Sequence, residues 1–131
     1  MYKRQTLLAS GVGVTPMRAL LEELDAPGGV TLLYRARSDH EVLFRQELDA
    51  LQRAHGARVV LLLGSRSPRA SWLPAQYASR RDAEVLRELS PGVAEHDVYV
   101  CGPAQWADAA VVAAREAGVP ASRIHLERFT W

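Results

Sequence analysis

Cysteine occurs once in the 131 residues, at Cys101. No internal disulfide can form, and a reducing compartment is the expected setting. Lysine also occurs once, at Lys3, which removes the Tyr-x-x-x-Lys pair that a short-chain dehydrogenase requires. The four histidines, His40, His55, His96 and His125, are scattered without the spacing of metal ligands, so no metal is expected. A basic stripe is absent: acids and bases alternate along the chain and the formal net charge is +1, so nucleic acid is not an expected partner. Long apolar runs are missing too. A stretch such as "VVLLLG" is strand-sized, whereas a bilayer span needs about 20 apolar residues, so no membrane segment is expected. The basic opening "MYKRQ" is followed only by "TLLA" before a glycine turn, too little for a signal peptide.

What remains is the composition of an ordinary globular domain, with 48% hydrophobic and 24% charged residues, long enough to bury one substantial core. The first five residues fit nothing that follows them. Read from a GTG start, GTG-TAT-AAG-AGA-CAG encodes Met-Tyr-Lys-Arg-Gln and resembles the end of a transposon-based sequencing adapter. Residues 1–5 are therefore expected to be a non-native leader and 6–131 the domain proper, the tail of a longer reading frame.

Along the chain, short apolar strands alternate with amphipathic helices. Strands are expected at Thr6–Ala9, Val30–Arg35, Arg58–Leu63, Asp97–Cys101 and Ile124–Phe129. The third is the most apolar, so it should be central or covered on both faces. A helix is expected over Pro16–Leu24, with Thr15 as N-cap and Pro16 as its first residue. A second should run from a Ser38 or Asp39 cap to about Ala54, with Val42, Leu43, Leu48 and Leu51 inward. Two more are expected over Asp82–Leu89 and Pro103–Ala117. Leu20, Leu24, Leu48, Val111 and Val112 read as core, and Trp72, Tyr77 and Trp106 as packing or rim residues. The alternation predicts an α/β fold with a doubly wound, Rossmann-like parallel sheet of about five strands, helices on both faces.

Between the first strand and first helix stands "SGVGVTP". Gly11 and Gly13 allow a tight turn and close approach to the backbone, and the helix start aims N–H groups at one spot, an arrangement suited to phosphate. The pattern departs from the usual dinucleotide fingerprint, with Pro16 in place of the third glycine. The second strand also ends in Arg35 and Arg37 where an acid would meet a ribose. An ordinary NAD dehydrogenase is disfavoured. "VYVCGP" places Cys101, Gly102 and Pro103 at the C-terminal end of the fourth strand, where parallel sheets bind ligands. It should share one crevice with Gly11–Pro16. Arg35 is placed to meet phosphate charge, with Arg37 and Arg69 behind it.

Gly11, Gly13, Thr15 and Pro16, then Cys101-Gly102-Pro103, then Glu127 and Phe129 occur in the order and approximate spacing of "GxGxTP", "CGP" and a terminal Glu-x-aromatic. The chain thus resembles, from about residue 6 onward, the pyridine-nucleotide domain of the ferredoxin–NADP reductase superfamily. "TLLYRARSDHEVLFRQEL" also looks like its flavin-linked ferric and flavodoxin-type reductases. The resemblance implies hydride transfer between NAD(P)H and N5 of FAD or FMN, then electron delivery to an unidentified acceptor.

The same resemblance assigns roles. Gly11, Val12, Gly13, Val14, Thr15 and Pro16 would hold the nicotinamide ribose and pyrophosphate, and Cys101, Gly102 and Pro103 the nicotinamide. Cys101 and Glu127 would form a polar network at the reacting carbon. Ser65 and Arg66 would hold a 2′-phosphate, favouring NADP over NAD. Phe129 matches the flavin-stacking aromatic, although here Thr130 and Trp131 follow it. The family's flavin-binding barrel, with its Arg-x-Tyr-Ser motif, is matched nowhere in this chain, so the flavin domain is an expected partner, whether upstream in a full-length chain or separate. A cytoplasmic location is expected, including the cytoplasmic face of a membrane reductase. The alternative is a stand-alone nucleotide-binding or regulatory module without redox activity of its own.

Overall fold

A computed structural model describes residues 4–23 and 29–129. Its centre is β1 (Gln5–Ser10), paired in parallel with β2 (Val30–Ala36) on one side and β4 (Asp97–Pro103) on the other. β3 (Arg58–Leu63) and β5 (Ile124–Phe129) complete a five-stranded sheet of order β3-β2-β1-β4-β5. Every pairing is parallel.

The helices α1 (Val14–Glu23), α2 (Arg45–His55), α3 (Asp82–Leu89) and α4 (Ala104–Glu116) divide between the two faces. Alternation along β1 explains the division, because successive strand side chains point to opposite faces. Leu7 and Ala9 pack with Met17, Leu21 and Leu48 beneath α1 and α2. Leu8 packs with Leu86, Ala107, Ala110 and Ala114 beneath α3 and α4. Small alanines on α4 bring that helix close to the sheet. The expected doubly wound α/β sheet is therefore the observed one.

Several expectations need correction. β3 is an edge strand rather than a central one. Its apolar run is explained by cover on both faces: Val60 and Leu62 join one core, Val59, Leu61 and Leu63 the other. The open edge still leaves most of them half-buried. Thr15 does not cap α1. A 3-10 turn over Gly11–Gly13 runs directly into the helix at Val14, so Thr15 and Pro16 lie in its first turn. Proline is tolerated there because first-turn N–H groups have no helical partner.

α2 begins at Arg45, not near Ser38, because Phe44 takes a left-handed conformation (φ 59°) just before it. The Arg18 guanidinium stacks 4.7 Å from the Phe44 ring centroid, and the Leu43 N–H donates to the Tyr34 hydroxyl at 2.9 Å. These contacts hold the bend and leave Leu43 exposed, not inward. Val112 is also exposed, at 54%. Leu20 is half-buried, while Leu24 lies outside the described residues. Trp72 is completely buried, so the irregular stretch after β3 is packed into the core.

At the N-terminal ends of the strands, Thr6 Oγ1 lies 2.7 Å from Ser90 Oγ and 2.9 Å from His96 Nδ1. All three residues are buried. Burial, aided by the positive charge of Arg4 and opposed by Glu95, holds the His96 imidazole below its ordinary value. The unfolded chain takes up this proton near pH 6.5, the folded chain only at lower pH. The contribution of neutral His96 is thus full above about pH 6.5 and declines as pH falls toward the folded value. In urea titrations, the stability advantage of the wild type over His96→Gln should narrow between about pH 7.5 and pH 5. An advantage constant with pH would contradict this.

Candidate functional site

The strand order reverses between β1 and β4, and parallel sheets open a crevice at the C-terminal strand ends there. The Gly11–Gly13 turn lies at that opening. A Cβ built on Gly13 would stand 2.1 Å from the Cys101 carbonyl oxygen, far inside contact distance, so only glycine lets the turn rest on the end of β4. Gly11 has φ +58°, the left-handed region that favours glycine, and a Cβ there would meet nothing within 4 Å. The space on that side of its Cα is therefore open. The two glycines have different tasks: one seats the turn, the other curves it and leaves the backbone open.

The β4 end is equally crowded. A Cβ on Gly102 would stand 2.6 Å from Cε3 of Trp106 and 3.2 Å from Ser10 Cβ. The expected meeting of Gly11–Pro16 with Cys101–Pro103 is thus a direct contact. Gly13, Val14, Cys101 and Gly102 are buried in it, while Val12, Thr15 and Pro16 are exposed beside it. The glycine backbone, a first-turn hydroxyl and a helix start form a set suited to a pyrophosphate.

Cys101 pairs with Glu127 across β4 and β5, and its thiol points to Glu127 Oε2 at 3.9 Å. Burial, then the Glu127 charge, then this hydrogen bond push the thiol up to about 11. At neutral pH the sulfur is a protonated donor rather than a nucleophile. Phe129 closes β5 opposite Pro103; its side chain lies outside the described residues.

Arg35 is buried, and its Nη1 donates to the carbonyls of Ala36 and Leu62 while Nη2 donates to Ser65 O at 3.1 Å. Burial and nearby Arg37, opposed by Glu41, lower the proton affinity of its guanidinium. Arg35, expected to meet phosphate charge, thus joins β2, β3 and the root of the following loop through backbone carbonyls. That loop carries Ser65 and Arg66, both exposed. Arg66 Nη2 donates to Gln105 Oε1 at 2.7 Å, which brings Arg66 to the first turn of α4. Arg69 is engaged elsewhere, with Arg80 O and Asp82.

Gln105 was missed in the sequence reading; its signal was its place two residues after Cys-Gly-Pro, at a helix start. A separate concavity of about 280 Å³ lies at the opposite edge of the sheet, between Gln5, Val30, Arg58 and His96, remote from these groups. Among the described residues, no helix is long and apolar enough to cross a membrane.

The family model for the oxidoreductase NAD-binding domain matches residues 7–111. The ferredoxin reductase component of 3-ketosteroid-9-alpha-monooxygenase from Mycobacterium tuberculosis is 33% identical over 125 residues, which cover 94% of this chain and 32% of that protein. Ferredoxin–NADP reductase B from Sorangium cellulosum is 32% identical over 130 residues, covering 93% of this chain and 52% of the reductase. The flavohem-like FAD/NAD binding domain of nitric oxide dioxygenase from Vibrio cholerae O1 biovar El Tor superposes with a TM-score of 0.76 at 28% identity, over 98% of this chain and 52% of that one. The chain thus spans between 32% and 52% of the length of these three relatives.

Two measurements test the site as a built object. Gly13→Ala should lower stability by more than about 2 kcal/mol through its clash with Cys101, whereas Gly11→Ala should cost about 1 kcal/mol, from backbone strain alone. Equal losses in thermal melts would refute the division of tasks. Cys101 should react with iodoacetamide at pH 8 at least about a hundredfold more slowly in the folded chain than in urea, since burial and a raised pKa both withhold the thiolate. Comparable rates would show that the thiol is not shielded.

Proposed function

Because this chain belongs to the oxidoreductase NAD-binding domain family, we propose that it binds NAD(P)H at the β1–β4 crevice and presents the nicotinamide to a flavin held by a separate domain, in a longer chain or a partner. The observation that carries this reading is the seating of the Gly11–Gly13 turn on Cys101, which makes one crevice of the two motifs. When bound, the nucleotide would supply a hydride from its nicotinamide ring, and the flavin of the separate domain would accept it. Electrons then pass to an acceptor served by the rest of the enzyme.

The residues of this chain bind and orient. Backbone donors of Gly11–Gly13, with Val14, the Thr15 hydroxyl and the Pro16 ring beside them, cradle the ribose and pyrophosphate. Cys101 lies beside the nicotinamide as a small, neutral, polarisable wall, and Glu127 fixes the direction of its S–H. Ser65 and Arg66 face the 2′-phosphate, favouring NADP over NAD. Phe129 is kept as the aromatic nearest the flavin in this scheme, by its match to the family pattern. A cytoplasmic location, where a lone thiol stays reduced, belongs to the same reading.

Relatives support the proposal through what their names state: a ferredoxin reductase component and a ferredoxin–NADP reductase. In calorimetric titration, the chain should bind NADPH, and Arg66→Ala should lower its preference for NADPH over NADH about tenfold, as loss of a charge-assisted pair implies. In the assembled flavoenzyme, Cys101→Ala should slow flavin reduction by NADPH about tenfold or more with little change in affinity. Absence of any nucleotide binding would defeat the proposal. Unchanged stopped-flow rates would remove Cys101 from the chemistry.

A further inference from the structure

An exposed arginine on a loop is a poor recognition element unless something limits its freedom, because ordering its long side chain costs about 2 kcal/mol. The loop that carries Arg66 is tied down at several points. The Ser65 carbonyl accepts from Arg35 Nη2 at 3.1 Å and from the Ala75 N–H at 2.9 Å. Arg66 itself makes an antiparallel bridge to Pro74. Trp106, on the first turn of α4, donates its indole N–H to the Trp72 carbonyl at 2.9 Å, and Trp72 is completely buried. The backbone of the arm is therefore fixed relative to both β2 and α4. Only the Arg66 side chain is left to be placed, and Gln105 Oε1 accepts from its Nη2 at 2.7 Å.

The chemistry of that partner decides what Arg66 can still do. A carboxylate would fix the guanidinium but also neutralise it, and would repel an incoming phosphate. An amide oxygen fixes it and leaves the positive charge whole. The first turn of α4 carries no acid, and Asp108, further along the helix, pairs with Arg128 at 3.0 Å. A guanidinium has five N–H donors in a fork, so one bond to Gln105 leaves a bidentate edge available.

We propose that Gln105 is a positioning residue that sets nucleotide specificity, holding Arg66 beside the crevice through a neutral hydrogen bond so that the site selects a dinucleotide with a phosphate ester on its adenosine ribose. This rests on the assignment of Ser65 and Arg66 to the 2′-phosphate made above. Gln105 acts through Arg66, and its contribution is a matter of charge as much as of place.

The test titrates NADP⁺ and NAD⁺ separately into the chain and its variants by calorimetry, with circular dichroism confirming that each is folded. Gln105→Glu should lower the ratio of NADP⁺ to NAD⁺ affinity about tenfold, with NAD⁺ affinity nearly unchanged. In the Arg66→Ala background, the same substitution should lower the ratio less than about threefold, because the group it acts through is gone. A fall of less than threefold for Gln105→Glu alone overturns the proposal. So does an equal fall with and without Arg66, which would mean direct repulsion of the phosphate. If the wild type binds both nucleotides without preferring NADP⁺, the Ser65–Arg66 assignment fails, and this inference with it. If neither nucleotide binds, the reading of the crevice itself fails.

Discussion

The seat of Gly13 on the Cys101 carbonyl is the constraint around which the rest of the domain is arranged. A side chain at residue 13 would stand 2.1 Å from that oxygen, so the contact exists only because this position lacks one. It joins the turn after the first strand to the end of the fourth at the point where strand order reverses. With the turn seated, α1 starts beside the C-terminal end of β1. Cys101 is buried beneath that seat, which raises its pKa and turns its thiol toward Glu127. Geometry at the site and protonation of its one sulfur thus share a cause.

A second layer of organisation lies in the arginines. Arg35, Arg66 and Arg69 all looked like phosphate ligands in sequence, because charge and position near strand ends were all that could be read. In three dimensions they separate by burial and partner. Arg35 is buried and binds carbonyls; Arg69 is drawn to Arg80 O and Asp82; Arg66 alone of the three meets a neutral side-chain acceptor at the helix that follows Cys101. Backbone carbonyls at the end of a sheet can take up a guanidinium, and sequence does not reveal which arginine they hold.

Much of the fold was legible because its signals are local and repeated. Strand runs, helix periodicity and turn residues fixed the five strands to within a residue or two and the doubly wound class. The errors fall where a distant partner overrides a local preference. Phe44 delays α2 because Arg18 and Tyr34 hold the bend, and neither is near it in sequence. Thr15 loses its capping role because a 3-10 turn continues into the helix without a break. β3 is rich in apolar residues through cover on both faces, which composition cannot tell from a central place in the row. At the candidate site, the motif residues stand out in the sequence by type and order. Gln105 was not, since a glutamine on a helix has no signature until its partner is known.

The placing of β1 at the centre of the sheet has a consequence for synthesis. Its partner β4 is made long after it: Thr6 and His96, which meet at the other end of the same strand pair, are 90 residues apart. Chain closure over such a span is slow relative to local helix formation. The glycine turn leaves the ribosome early but has nothing to rest on until Cys101 and Gly102 follow. The crevice is therefore completed late in the life of the chain, only in molecules whose two halves have already met.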